Sequence, residues 1–199
     1  MTSARPVVGV LALQGDYEAH AKALARAAGP DGIVVREVRL PKELDGLDAI
    51  VLPGGESTTI SKSLVRFGLL EPLRAFAKSG KPVLGTCAGA ILLAARVENR
   101  PVETLGVLDV TAVRNAYGTQ VDSFAALADA GAAPGLEGLR CVFIRAPRLR
   151  DPGPGVRVLL RVDGEPVLVR QGPILAATFH PELTDDPRVH RLLLEAIPR

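Results

Sequence analysis

The sequence predicts a doubly wound α/β domain with a β-rich insertion, and three observations predict it. Continuously apolar runs alternate with helix-like stretches through the first half of the chain. The runs lack the polar alternation of a half-solvated sheet, as strands covered on both faces do. The second half changes to short strand-like runs separated by Gly, Pro and Asp turns. Alternation at these lengths implies a mostly parallel sheet flanked by helices. The later runs imply an antiparallel extension ahead of a last sheet strand.

The elements follow in order. "VVGVLAL" (7–13) opens as a buried strand. "DYEAHAKALARAAGP" (16–30) reads as a helix, with Asp16 as N-cap and Gly29-Pro30 as the stop. "IVVREVR" (33–39) and "LDAIVLP" (47–53) are the next two strands. Residues 57–78 carry helical periodicity with a break near Gly68 to Pro72. "KPVLG" (81–85) is a strand and "AGAILLAARV" (88–97) the helix after it. "LGVLDVTAV", "LRCVFIRA", "VRVLLRV", "EPVLVRQ" and "PILAATF" are the strand-like runs of the second half, and "DDPRVHRLLLEAI" closes the chain as an amphipathic helix.

At 199 residues and 47% hydrophobic, the chain is long enough for a substantial core, and residues 1–199 read as one domain. A net charge of +2 without a basic run gives no nucleic-acid or membrane surface, and the absence of Trp gives no stacking platform. Residues 7–13 are too short to span a bilayer, and they lack the flanks of a signal peptide. With no export signal and only Cys87 and Cys141, the expected setting is a reducing cytoplasm, without disulfides.

"GTCAGA" (85–90) places a cysteine between glycines, between a strand and a helix. Strand, G-x-C-x-G, helix is the pattern of a nucleophile elbow, where small neighbours relieve the crowding of a sharp turn. Cys87 would face a helix N-terminus, which favours thiolate, and the Ala88 N–H would point at an oxyanion. The other reading is a packed structural cysteine, which is the expectation for Cys141 inside "CVFIRA". A thiol with an ordinary pKa of about 8.5 needs a base. Among the three histidines, His20 and His190 fall within helices and read as partly exposed. His180 ends an apolar strand, where open α/β sheets place their sites. Pro181 biases it to extended backbone, which would set Glu182 on the same side as the imidazole, as an orienting carboxylate. "LPGGEST" (52–58) leaves backbone N–H groups free after a strand, with Ser57 as a helix N-cap. Three readings of this loop stand: a phosphate cradle, half of an oxyanion hole with Gly55 donating, or a plain turn.

Together these segments resemble the class I glutamine amidotransferases, the Cys-His-Glu glutaminases. The likeness is closest to the glutaminase subunits of pyridoxal 5'-phosphate synthases. "LALQGDYEAH", "LPGGESTT", "GTCAGAI", "RNAYGTQVDSF", "VFIRAP" and "FHPELTDD" carry it, in the family's order, over nearly the whole chain. The resemblance implies a flavodoxin-like three-layer fold and hydrolysis of L-glutamine to L-glutamate and ammonia. Cys87 would be the nucleophile, His180 the proton carrier and Glu182 its orienting partner. Gly55 and Ala88 would form the oxyanion hole. Gly55, Glu56, Ser57, Arg114, Ile144 and Arg145 would bind glutamine. The implied partner is a (β/α)8-barrel synthase subunit in a multi-subunit complex, which uses the ammonia to make the vitamin B6 cofactor. Neither a metal nor a bound cofactor is implied for this chain. Two alternatives remain at this point: the same triad serving a nucleotide or imidazole glycerol phosphate pathway, and a phosphate-binding module with Cys87 inert.

Overall fold

The computed structural model describes residues 5–114, 123–129 and 132–198; residues 115–122, most of the "RNAYGTQVDSF" segment, lie outside them. In chain order, β1 (Val7–Leu11), α1 (Tyr17–Ala28), β2 (Val34–Val38), β3 (Ala49–Leu52), α2 (Ser57–Arg66), α3 (Leu70–Lys78), β4 (Val83–Thr86) and α4 (Ala88–Leu93) make up the alternating half. β5 (Ala94–Glu98), β6 (Leu108–Val113), β7 (Ser123–Leu127), β8 (Arg140–Ile144) and β9 (Arg148–Arg150) follow. β10 (Arg157–Val162), β11 (Glu165–Gln171), β12 (Ile174–Ala177) and α5 (Arg188–Glu195) complete the described chain.

The main sheet has seven strands in the order β10-β11-β12-β4-β3-β1-β2. From β12 to β2 every neighbouring pair is parallel, and β11 and β10 extend the edge antiparallel. β3, β4 and β12 are buried at every residue, which is why they read as unbroken apolar runs. Their side chains alternate between two cores. Ile50 and Leu52 pack with Ile60, Leu64, Leu73 and Leu92 on the α2–α3–α4 side. Ala49 and Val51 pack with Leu24, Val189 and Leu193 on the α1–α5 side. The period of two along β3 therefore builds both hydrophobic layers from one strand. Among the described residues no helix is long and apolar enough to cross a membrane.

Asp16 caps α1 as expected, its side chain accepting from Ala19 N at 3.0 Å. The break between α2 and α3 falls at Gly68, which holds φ 67°, and Pro72 sits in the first turn of α3, where its missing N–H does no harm. The helix expected over 88–97 ends early: Ala94 turns to φ −61°, ψ 142°, and Ala94–Glu98 becomes a strand parallel to β6. The side chain of Arg96 explains the override of helical pattern by tertiary contacts. Its guanidinium reaches the Thr111 hydroxyl at 3.0 Å and the Asp109 carboxylate at 2.7 Å across the pair. β5, β6 and β9 form a separate three-stranded sheet, and β7 and β8 a two-stranded one. β7 and β9 are short and had no distinct apolar run to announce them.

α4 is buried along its whole length and packs its backbone on β3. A Cβ on Gly89 would come within 1.9 Å of the Leu52 carbonyl oxygen. Helix propensity alone gives Gly89→Ala a gain of about 1 kcal/mol. The contact reverses that sign, and we expect a loss of roughly 1–3 kcal/mol, read from the denaturant midpoint. A midpoint that rises would contradict this packing.

Candidate active site

Strand order creates the site. β4 lies between β3 and β12, so the loops leaving the C-terminal ends of these three strands must meet. The first carries Gly54 and Gly55, the second Cys87, the third His180. Open α/β sheets form their crevices at such ends.

Cys87 occupies the turn itself, at φ 48°, ψ −105°, and is the N-cap residue of α4. Backbone of this kind in a residue with a side chain costs on the order of 1–3 kcal/mol and persists only under surrounding constraint. Here the constraint is close packing: its N–H donates to the Ala177 carbonyl on β12 at 2.8 Å, and its carbonyl accepts from Ala90 N at 3.1 Å. The flanking glycines are required on both sides. A Cβ on Gly85 would meet the Gly89 carbonyl at 2.6 Å, and one on Gly89 would meet β3. Gly54 is equally constrained, since a Cβ there would lie 2.6 Å from the His180 ring and 3.2 Å from Cys87 Cβ. Both glycines of this loop are used: Gly54 lets the loop close over thiol and imidazole, and Gly55, the donor expected from the sequence, holds φ 150°.

Cys87 is buried yet opens on a cavity of about 170 Å³. The walls include Gly55, Glu56, Ser57, Ala88, Arg114, Ile144, Arg145 and His180, each of them named from the sequence, together with Ile91 and Pro147. Glu182 is set behind the imidazole, its side chain 2% exposed. His180 Nδ1 is 2.7 Å from Glu182 Oε1, so the ring donates to the carboxylate from that nitrogen. The pairing arises differently from the extended backbone expected. Pro181–Leu183 form a 3-10 turn, with His180 at φ −107°, ψ 86°, and the turn folds Glu182 back under the ring. The Cys87 sulfur contacts the Ile144 carbonyl at 3.8 Å. His180 Nε2 is buried without an aligned hydrogen bond among the described residues. Burial alone would lower the His180 pKa, but its interactions with Cys87 and Glu182 outweigh that and raise it to about 10.

The loop and helix α2 correct one reading. Glu56, not Ser57, caps α2, its carboxylate accepting from Thr58 N at 3.0 Å and Thr59 N at 2.7 Å, and from the Thr59 hydroxyl at 2.8 Å. Burial opposes the charge, yet these bonds hold the Glu56 pKa down to about 2. A carboxylate thus already takes the amides that a phosphate would need, which removes the physical basis of a phosphate cradle here. Glu56 N donates to Gln14 Oε1 at 3.1 Å, tying the loop to the connection between β1 and α1.

Arg114 is 7% exposed and anchored on three sides. It donates to the Arg100 carbonyl at 2.6 Å and the Thr58 hydroxyl at 2.9 Å, and lies 3.5 Å from Glu56 Oε1. Asn99 Nδ2 donates to its carbonyl at 3.3 Å. Residues 96–103 carry no sequence signal, yet Glu98, Asn99 and Arg100 among them hold Arg114 at the cavity wall. Cys141 is fully buried, and burial with nearby Asp186 pushes its thiol up to about 12, as expected of a packing residue. A larger groove of about 940 Å³, between α2, α3 and residues 101–106, holds none of the three groups.

The expectation for the other histidines fails. His20 and His190 are both fully buried. The signal was present: α1 buries His20, Ala23, Leu24 and Ala27, a single helical stripe, and a reading that placed the Ala and Leu inward places His20 with them.

The SNO glutamine amidotransferase family model matches residues 10–199. The chain belongs to that family. It is 52% identical over 190 residues to a pyridoxal 5'-phosphate synthase subunit PdxT of Koribacter versatilis, covering 96% of this chain and 95% of the relative. It is 48% identical to the PdxT of Thermotoga maritima, with 96% and 98% covered. A crystal structure titled as a glutamine amidotransferase superposes with TM-score 0.87 at 48% identity, over 96% of this chain and 98% of the other. PurLQS from Thermotoga maritima, at 19% identity and TM-score 0.66, shares the fold.

The raised His180 pKa has a direct consequence. At pH 8, where a free histidine is neutral, nitrogen-15 NMR of the folded chain should show His180 protonated on both ring nitrogens. Cys87→Ala removes one cause of the shift and should move its titration downward. A midpoint near 6.5 in both proteins would contradict the raised pKa.

Proposed function

We propose that the chain hydrolyses L-glutamine through a Cys87 thioester and passes the ammonia to a synthase subunit that makes pyridoxal 5'-phosphate. The observation that carries this reading is the convergence of Cys87 and His180 at the ends of adjacent strands, with Glu182 2.7 Å behind the ring. Membership of the glutamine amidotransferase family supports the substrate, and PdxT relatives at about half identity support the pathway.

The chemistry follows from the groups present. His180 takes the thiol proton, and the raised pKa of the ring keeps it there as an imidazolium beside the thiolate. Cys87 sulfur attacks the side-chain amide carbon of glutamine, and the carbonyl electrons move onto oxygen. The N–H groups of Gly55 and Ala88 receive that oxyanion. The carbonyl re-forms, the C–N bond breaks, and His180 delivers its proton to the departing nitrogen, which leaves as ammonia. The neutral ring then takes a proton from water, whose hydroxide attacks the thioester. The tetrahedral intermediate collapses, glutamate leaves, and Cys87 is released as the thiolate beside the His180 imidazolium. Glu182 holds the tautomer and steadies the imidazolium throughout.

Arg114 and Arg145 supply cations on the cavity wall for the substrate carboxylate, and a guanidinium can grip it through two parallel bonds. Gly55, Glu56, Ser57 and Ile144 complete the glutamine pocket. The partner is a (β/α)8-barrel subunit in a multi-subunit complex, in the cytoplasm, with residues 1–199 acting as one domain.

With that synthase present, Cys87→Ala should lower ammonia release from glutamine by roughly 10⁴-fold or more. An electrophilic glutamine analogue should label the parent chain once, at Cys87, as read by mass spectrometry. Ammonia release that survives the substitution would overturn the assignment.

A further inference from the structure

The buried histidine His20, on α1, touches the triad from the side opposite the substrate. Its Nε2 is 3.3 Å from Glu182 Oε2 and 3.1 Å from the hydroxyl of Thr86, the residue before the nucleophile. Its Nδ1 is 3.0 Å from Nε2 of His190 on α5. Glu182 Oε2 is buried and without an aligned hydrogen bond among the described residues: His180 takes Oε1, and His20 Nε2, 3.3 Å from Oε2, is aligned instead on the Thr86 hydroxyl.

We propose that His20 is a positioning residue of the Cys87–His180–Glu182 site, a neutral imidazole that presents its Nε2–H to the Glu182 carboxylate and fixes which oxygen serves His180. The inference rests on the glutaminase reading for its kinetic consequence and on geometry alone for its proton arrangement.

Two ring nitrogens 3.0 Å apart share one proton, and electrostatics decides whose it is. If His20 carried it on Nδ1, its bare Nε2 lone pair would face a carboxylate oxygen at 3.3 Å, which is repulsive. His190 Nδ1, which has no partner among the described residues, would then also carry a buried, unpaired N–H. With the proton on His190 Nε2 the repulsion at Glu182 is gone, and His190 Nδ1 keeps only an unpaired lone pair, an under-satisfied acceptor being more readily tolerated than an orphaned N–H. His190 donates to His20 Nδ1, and the His20 Nε2–H donates to the Thr86 hydroxyl oxygen with Glu182 Oε2 3.3 Å from the same nitrogen. Both rings are suited to remain neutral: burial, with the charges of His190 and His180, holds His20 well below 6.5, and burial with Arg26 holds His190 at about 4. No proton moves through this line. Its work is orientation: an N–H fixed 3.3 Å from Oε2 attracts that oxygen and so favours the carboxylate position that keeps Oε1 on His180 as the ring gains and loses charge.

Nitrogen-15 NMR of the intact isolated chain tests the proton arrangement without reference to activity. The inference expects His20 as the Nε2–H tautomer; a proton on Nδ1 or a doubly protonated ring at pH 7 overturns it, leaving the glutaminase reading intact. Glutamine kinetics with the synthase test the positioning. His20→Leu should lower kcat about 10- to 100-fold at unchanged KM. His20→Gln, whose amide N–H can take the place of Nε2–H, should recover much of it. A Gln variant as poor as Leu means packing alone, and His20→Leu at full kcat means no role; either overturns the inference. Should His20→Leu fail to fold, His190→Leu releases the tautomer while keeping His20, and a kcat equal to that of the parent overturns it as well.

Discussion

The site depends on one close approach of backbones. At the end of β3 the chain leaves so little room that the helix following β4 can cross only with glycine at position 89, beneath the Leu52 carbonyl. That crossing forces the turn at residue 87 to be sharp, and the sharpness puts Cys87 at φ 48° with its side chain at the rim of the sheet. A looser crossing would let the backbone relax and carry the sulfur away from the imidazole. Gly54 applies the same logic to the neighbouring loop, which lies against both reactive side chains. The strain at Cys87 is held by the hydrogen bond of its amide to β12, the strand that delivers His180. Nucleophile and base are thereby locked by the same piece of sheet.

The electrostatic arrangement has two layers with opposite settings. In front, His180 is raised to about 10 by its contacts with Cys87 and Glu182, so charge is welcomed where it is used. Behind, His20 and His190 are held uncharged by burial, where a second cation would compete for the same carboxylate. Three imidazoles share one protein interior with different protonation because the deeper pair is dominated by burial, while at His180 contacts with Cys87 and Glu182 outweigh it. The two helices that bury the rear pair, α1 and α5, also close one hydrophobic layer of the fold, so packing and proton placement are coupled there.

How much of this the sequence disclosed varied with the physics of each element. β1, β3, β4 and β12 were legible because a strand buried on both faces has no choice but to be apolar. The elbow at Cys87 was legible because only glycine tolerates its surroundings. α4 was overrun because "AGAILLAARV" stays apolar past Leu93, while the turn into β5 is imposed by the pairing of Arg96 with Thr111 and Asp109. Glu182 was found beside His180 through the wrong geometry: a 3-10 turn, not extension, brings it under the ring. His20 and His190 were misplaced because polar residues on a helix suggest solvent. Their partners are contributed by chain 66 to 170 residues distant, which no local pattern reveals. The support that Asn99 and Arg100 give to Arg114 spans a shorter stretch of chain, but it too rests on tertiary contacts that no local pattern reveals.

Capture of the covalent intermediate tests the central claim most directly. The chain, turning over glutamine with its synthase, is quenched in acid and its intact mass and peptides are measured. The account predicts a glutamyl adduct on Cys87 that disappears when the substrate is exhausted. Steady ammonia release with no adduct, or with the adduct on any other residue, would contradict it.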